Sequence, residues 1–118
     1  MDADGLLADL RSDPAAAAIF LDVDGVLAPI VERPEDSRVP DETREEVRRL
    51  AAKYALVACV SGRTSSDARR IVGLDELTYV GEHGLELVPE ADAWRGAMHG
   101  FADTVEWPVE DKGLTLSF

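Results

Sequence analysis

Two short segments hold residues whose types and spacing could do chemistry. Asp22-Val23-Asp24-Gly25 places two carboxylates two residues apart, directly behind the apolar run Ile19-Phe20-Leu21. In extended chain, residues i and i+2 point to the same side, so the two carboxylates repel and need a cation or a proton between them. Such a pair can bind Mg²⁺ through oxygen while one carboxylate attacks phosphorus, forming an aspartyl-phosphate, and its neighbour handles the leaving-group proton. Gly25 lets the backbone turn sharply. An acidic turn after a strand has the same pattern, and the motif alone leaves both readings open.

The second segment, Ser61-Gly62-Arg63, repeats the arrangement after the apolar run 56–60. A hydroxyl and free backbone N–H groups ahead of a helix suit a phosphate. By itself the triplet reads more readily as a strand-to-helix junction with a solvated arginine. Two such junctions at the ends of adjacent strands favour one shared site, because open parallel sheets bind ligands at their carboxyl ends.

These motifs need a scaffold of alternating strands and helices, and the sequence predicts one: an α/β fold with a parallel sheet and flanking helices. A short helix over 4–11 stops before Pro14. The run 19–21 reads as a strand buried on both faces. Residues 26–39, with Pro29 and Pro34, form an excursion from the sheet. Pro40 opens a helix whose first turn carries Asp41 and Glu42 and whose apolar face is Val47, Leu50, Ala51 and Tyr54. The second buried strand is 56–60. Thr64 and Asp67 approximate a capping box for a helix bearing Ala68, Ile71 and Val72, and Gly73 stops it. Short strands are predicted over 78–80 and 85–88, a helix over about 91–106 and a strand over 113–118.

Length and composition bound the rest. With 118 residues, 46% hydrophobic and 31% charged, the chain suits one folded domain or a piece of a larger one. A net charge of −12 makes nucleic acid and anionic membrane surfaces unfavourable partners. One cysteine, Cys59, excludes an internal disulfide and points to the reducing cytoplasm. Its place inside a strand predicts a core residue. Trp94 and Trp107 are expected to pack the C-terminal segment, and His99 to be solvated.

The segments Ile19-Phe20-Leu21-Asp22-Val23-Asp24-Gly25-Val26-Leu27, Val60-Ser61-Gly62-Arg63, Gly81-Glu82-His83-Gly84-Leu85-Glu86 and Val109-Glu110-Asp111-Lys112-Gly113-Leu114, in this order, resemble the trehalose-6-phosphate phosphatases of the haloacid dehalogenase superfamily. The resemblance begins near Ala16. It implies a Rossmann-like phosphatase core with a cap, Mg²⁺ as cofactor and trehalose 6-phosphate as substrate. Asp22 would be the nucleophile and a metal ligand. Asp24 would be the general acid/base, with its carbonyl on the metal. Ser61, with Gly62 and Arg63, would bind phosphate beside Gly25, and Glu110 and Lys112 would grip sugar hydroxyls. Glu82 and His83 would lie near the substrate, although His83 also reads as a hydrogen-bonding histidine in a Gly-flanked turn, and Glu110 and Lys112 as a solvated charged turn.

The family's site further uses a lysine ahead of a fourth strand and a later acidic motif, neither of which occurs before Phe118. The expectation is therefore that 1–88 form the first half of a core and 89–118 the beginning of a cap, without phosphatase activity alone. The alternatives are a truncated, non-catalytic phosphate- or partner-binding module, another sugar phosphatase of the superfamily, and, less favoured, a receiver-like phosphoacceptor.

Overall fold

A computed structural model of the chain describes residues 2–106, 108–111 and 116–117. Three parallel strands, β1 (Ala18–Asp22), β2 (Leu56–Val60) and β3 (Thr78–Val80), lie side by side in that order, with Leu21 opposite Cys59 and Cys59 opposite Tyr79. Parallel neighbours need crossovers. Helix α2 (Asp41–Lys53) stands between β1 and β2 in the chain, and α3 (Ser65–Val72) between β2 and β3. Helix α1 (Ala3–Ser12) precedes the sheet, and α4 (Arg95–Ala102) and the two-residue strands β4 (Glu110–Asp111) and β5 (Leu116–Ser117) follow it.

The core forms where Val57 and Cys59 of β2 meet Val47 of α2, Ala68, Ile71 and Val72 of α3, and Val23, Leu27 and Ala28 of the turn behind β1. Burial of this apolar area is the main stabilising term. Arg44 stitches the helical layer together: its Nε donates to the Val72 carbonyl at 2.7 Å, its Nη2 to the Val39 carbonyl at 3.3 Å and its Nη1 to Asp41 at 2.7 Å. Helix α3 starts at Thr64, whose Oγ1 accepts the Asp67 N–H at 3.2 Å, and ends at Gly73 in the left-handed region. The Asp67 carboxylate makes no return bond of a capping box, because it is engaged by Arg63 and Arg70.

Several sequence expectations are corrected. Strand β1 is not buried on both faces. Among the described residues it is an edge strand with alternating exposure, and Phe20 is 66% exposed. No strand forms over 85–88. Glu82, His83 and Gly84 have φ of 52, 56 and 90°, and three consecutive left-handed residues turn the chain into the short 3₁₀ turns of Glu82–Leu87. The helix expected over 91–106 is shorter, with 3₁₀ turns at Pro89–Trp94 leading into α4. Trp94 is 67% exposed rather than packed. His99 is half-buried, its Nε2 being 3.4 Å from Asp111 Oδ2. Trp107 and Lys112 lie outside the described residues, as does most of the strand expected over 113–118, of which 116–117 pair antiparallel with β4. Among the described residues, no helix is long and apolar enough to cross a membrane.

Candidate active site

The carboxyl ends of β1 and β2 open on a pocket of about 340 Å³ lined by Phe20, Leu21, Asp22, Val60, Ser61, Gly62 and His83. Asp22 is the last residue of β1, and its side chain is exposed there. One carboxylate oxygen, Oδ1, accepts the Val23 N–H at 2.8 Å. That bond fixes the rotamer and leaves Oδ2 available to the pocket.

Ser61 follows β2 directly and is 3% exposed. Its Oγ accepts the Arg63 N–H at 3.0 Å, so its own proton remains available for donation. The loop after β3 closes the other side. The His83 N–H donates to the Ser61 carbonyl at 2.9 Å and the Glu82 N–H to the Arg63 carbonyl at 2.7 Å. These bonds hold the imidazole against Gly62, where a Cβ would stand 2.6 Å from Nε2. Only glycine permits that approach. Glu82 is buried. Glu86 braces the same loop by accepting the Ser65 N–H at 2.9 Å and the Gly81 N–H at 3.3 Å.

Behind Val23 the chain folds into a tight turn in which the Ala28 N–H donates to the Val23 carbonyl at 2.9 Å and Gly25 adopts φ of 84°. The cation that meets Asp24 is Arg63: Nε lies 2.8 Å from Oδ2 and Nη2 2.9 Å from Oδ1. Ser37, fully buried in the excursion, donates from Oγ to Oδ1 at 3.4 Å. The third guanidinium nitrogen, Nη1, lies 3.0 Å from Asp67 Oδ2. The Arg63 hydrogen bonds, opposed by partial burial, hold the Asp24 carboxyl below the usual carboxylate range. Burial pushes Asp67 upward, but bonds from Arg70 and Arg63 outweigh it and lower that group too. Neither Asp24 nor Arg63 lines the pocket.

The structure thus brings Asp22, Ser61, Gly62 and His83 to one cavity and joins Asp24 to Arg63 beside it. Glu110 lies on β4. Ser37 and Asp67 escape sequence reading as site residues. A serine in an irregular excursion carries no spacing signal, and Asp67 reads as half of a cap. Among the described residues, no group of three His, Cys, Asp or Glu is arranged to hold a metal ion. One carboxylate and a neighbouring backbone carbonyl still fit Mg²⁺, which keeps several waters and takes its other ligands from a bound phosphate.

The family model for trehalose-phosphatase matches residues 20–109. The chain belongs to the trehalose-phosphatase family. It is 46% identical over 69 residues to a probable trehalose-phosphate phosphatase of Oryza sativa subsp. japonica, covering 58% of this chain and 18% of that protein. It is 45% identical over 69 residues to a trehalose 6-phosphate phosphatase of Zea mays, covering 58% and 19%. A protein of Mycobacterium tuberculosis described as an uncharacterized glycosyl hydrolase is 49% identical over 71 residues, covering 60% of this chain and 5% of that one. The chain therefore spans less than a fifth of the length of these relatives. The crystal structure of a trehalose-6-phosphate phosphatase related protein superposes with a TM-score of 0.64 and 22% identity, over 82% of this chain and 48% of that one. That likeness shows the fold, a parallel sheet with flanking helices.

Proposed function

We propose that this trehalose-phosphatase chain carries the nucleophile and phosphate-binding part of an active site that hydrolyses trehalose 6-phosphate to trehalose and phosphate. The observation that carries the reading is the opening of the Asp22 carboxylate, at the end of β1, on the same pocket as the Ser61 hydroxyl and His83. Asp22 Oδ2 attacks phosphorus, the bond from phosphorus to the sugar oxygen breaks, and the leaving oxygen takes the proton that Asp24 has collected from the water of the preceding turnover. Water then attacks the aspartyl-phosphate, its proton passes to Asp24, and the Asp22 carboxylate is regenerated as phosphate departs. The Ser61 hydroxyl and the backbone at Gly62 receive phosphate oxygens, and His83 orients the ester. Asp22 and the Asp24 carbonyl would hold Mg²⁺, which supplies charge neutralisation at the phosphoryl oxygens.

We further assign residues 1–88 to the phosphatase core and 89–118 to a cap segment, with Glu110 and Lys112 as sugar contacts and the cytoplasm as location. The high resemblance of the matched segment to plant trehalose-phosphate phosphatases and the single, buried Cys59 support this assignment. No lysine and one carboxylate line the pocket among the described residues. The 118-residue chain by itself is therefore expected to bind phosphate without turnover, the reaction belonging to the intact polypeptide that carries this sequence.

The test is phosphate release from trehalose 6-phosphate and a panel of other sugar phosphates by the intact protein with Mg²⁺. Preference for trehalose 6-phosphate, abolished in Asp22→Asn, is the expected result. Equal turnover of all the esters would point to another sugar phosphatase, and turnover unaffected by Asp22→Asn would overturn the reading.

A further inference from the structure

Arg63 reads in the sequence as a phosphate ligand, yet each of its three guanidinium nitrogens bonds a carboxylate. Nε and Nη2 form a two-pronged bond to Asp24, and Nη1 bonds Asp67. The side chain is only 13% exposed. Asp67 is itself fixed: its N–H is held by Thr64 at the start of α3, and its other oxygen, Oδ1, accepts from Arg70 at 2.7 and 3.0 Å. Planar, bidentate pairing defines direction as well as distance, which a lysine could not do.

We propose that Arg63, anchored by Asp67, is a positioning residue that fixes the Asp24 carboxylate for proton transfer, and not a ligand of the phosphate. This inference rests on the reading in which Asp24 moves the proton. Apart from Arg63, the carboxylate has only the Ser37 hydroxyl, at 3.4 Å, to hold it among the described contacts. Without the guanidinium the carboxylate can rotate about its own side-chain bonds, out of line with the water that must attack the aspartyl-phosphate. The backbone of residue 63 has a separate task. Its N–H holds Ser61 Oγ and its carbonyl holds the Glu82 N–H, and neither bond depends on the side chain. Side-chain replacement therefore separates proton handling from phosphate binding.

Misplacement of a catalytic group by about 1 Å costs on the order of a hundredfold in rate, and a loss of that order in kcat is expected for Arg63→Ala in the intact protein. KM for trehalose 6-phosphate and inhibition by inorganic phosphate should remain near the unsubstituted values, and the aspartyl-phosphate should accumulate during turnover. Arg63→Lys keeps the charge without the fork and should stay close to the alanine variant. Asp67→Asn should show a smaller loss of the same kind. It keeps the side-chain volume, so it carries the test if Arg63→Ala does not fold, as judged by thermal unfolding.

Weakened phosphate inhibition with unchanged dephosphorylation would make Arg63 a phosphate ligand and overturn the inference. Unchanged kcat in Asp67→Asn together with full rescue by Arg63→Lys would also overturn it. Failure of the unsubstituted intact protein to release phosphate from trehalose 6-phosphate or an aryl phosphate would remove the phosphatase reading and this inference with it.

Discussion

The His83 imidazole rests on Gly62 so closely that a methyl group there would meet Nε2 at 2.6 Å and Cε1 at 2.7 Å. The two residues belong to loops after different strands, so their contact joins the ends of β2 and β3 across the pocket. Gly62→Ala should therefore push the ring aside. The stability cost should be small, because a ring tip can swing, but substrate binding should weaken. In a His83→Ala background the same substitution should have little further effect, with a coupling in the double-mutant cycle of about 0.5–3 kcal/mol on binding. Additive effects would show that the contact does not shape the pocket.

Arg44→Ala should destabilise the chain by about 1–3 kcal/mol, the range for leaving a buried hydrogen-bonding group without its partner. The Val72 carbonyl, at a residue with no exposed surface, would lose the Arg44 Nε donor, and Val39 would lose Nη2. Chemical denaturation measures it. A change within the noise would mean that water replaces the guanidinium at no cost.

Asp24 and Asp67 both titrate below the ordinary carboxylate value of 3.8, Asp24 through its bonds to Arg63, and Asp67 because bonds from Arg70 and Arg63 overcome the upward push of burial. The folded chain thus binds these protons more weakly than the unfolded chain does. Their stabilising contribution is fully present above 3.8 and is lost as pH falls through the depressed folded values. Each side chain is about one-third exposed, at 35% and 34%, so solvent screening keeps the contribution modest. Thermal unfolding over this acid range should show a slope that is shallower in Arg63→Ala. An identical slope would contradict the pairing.

Cys59, with no exposed surface in β2, has its thiol pushed up to about 11 by burial. The native chain should resist thiol reagents at pH values well below that and react only on unfolding. Rapid labelling of the folded protein at neutral pH would show that β2 is not central.

The strands and helices that form the site were legible because they depend on local pattern. The runs ending at Asp22 and Val60 stop where apolar residues stop, and Thr64 and Gly73 bracket α3 by local hydrogen bonding and a left-handed residue. What escaped depends on partners distant in the chain. Leu85 to Val88 have strand-like composition, but a strand needs a neighbour, and the left-handed run from Glu82 to Gly84 turns the chain before one can form. Phe20 looks like core and is exposed, because strand pairing on one side only leaves alternate residues of β1 uncovered. The bond from Arg63 to Asp24 spans 39 residues and follows from the parallel register of β1 and β2, which no local spacing encodes.

The central claim, that Asp22 is the nucleophile, is tested most directly by trapping the intermediate. The intact protein is mixed with Mg²⁺ and trehalose 6-phosphate, quenched during turnover and digested, and the fragments are weighed by mass spectrometry. The account predicts a gain of one phosphoryl group on the peptide containing Asp22, labile to hydroxylamine, increased in Arg63→Ala and absent in Asp22→Asn. Steady turnover with no phosphoryl group on that peptide, or with the group on another residue, would contradict it.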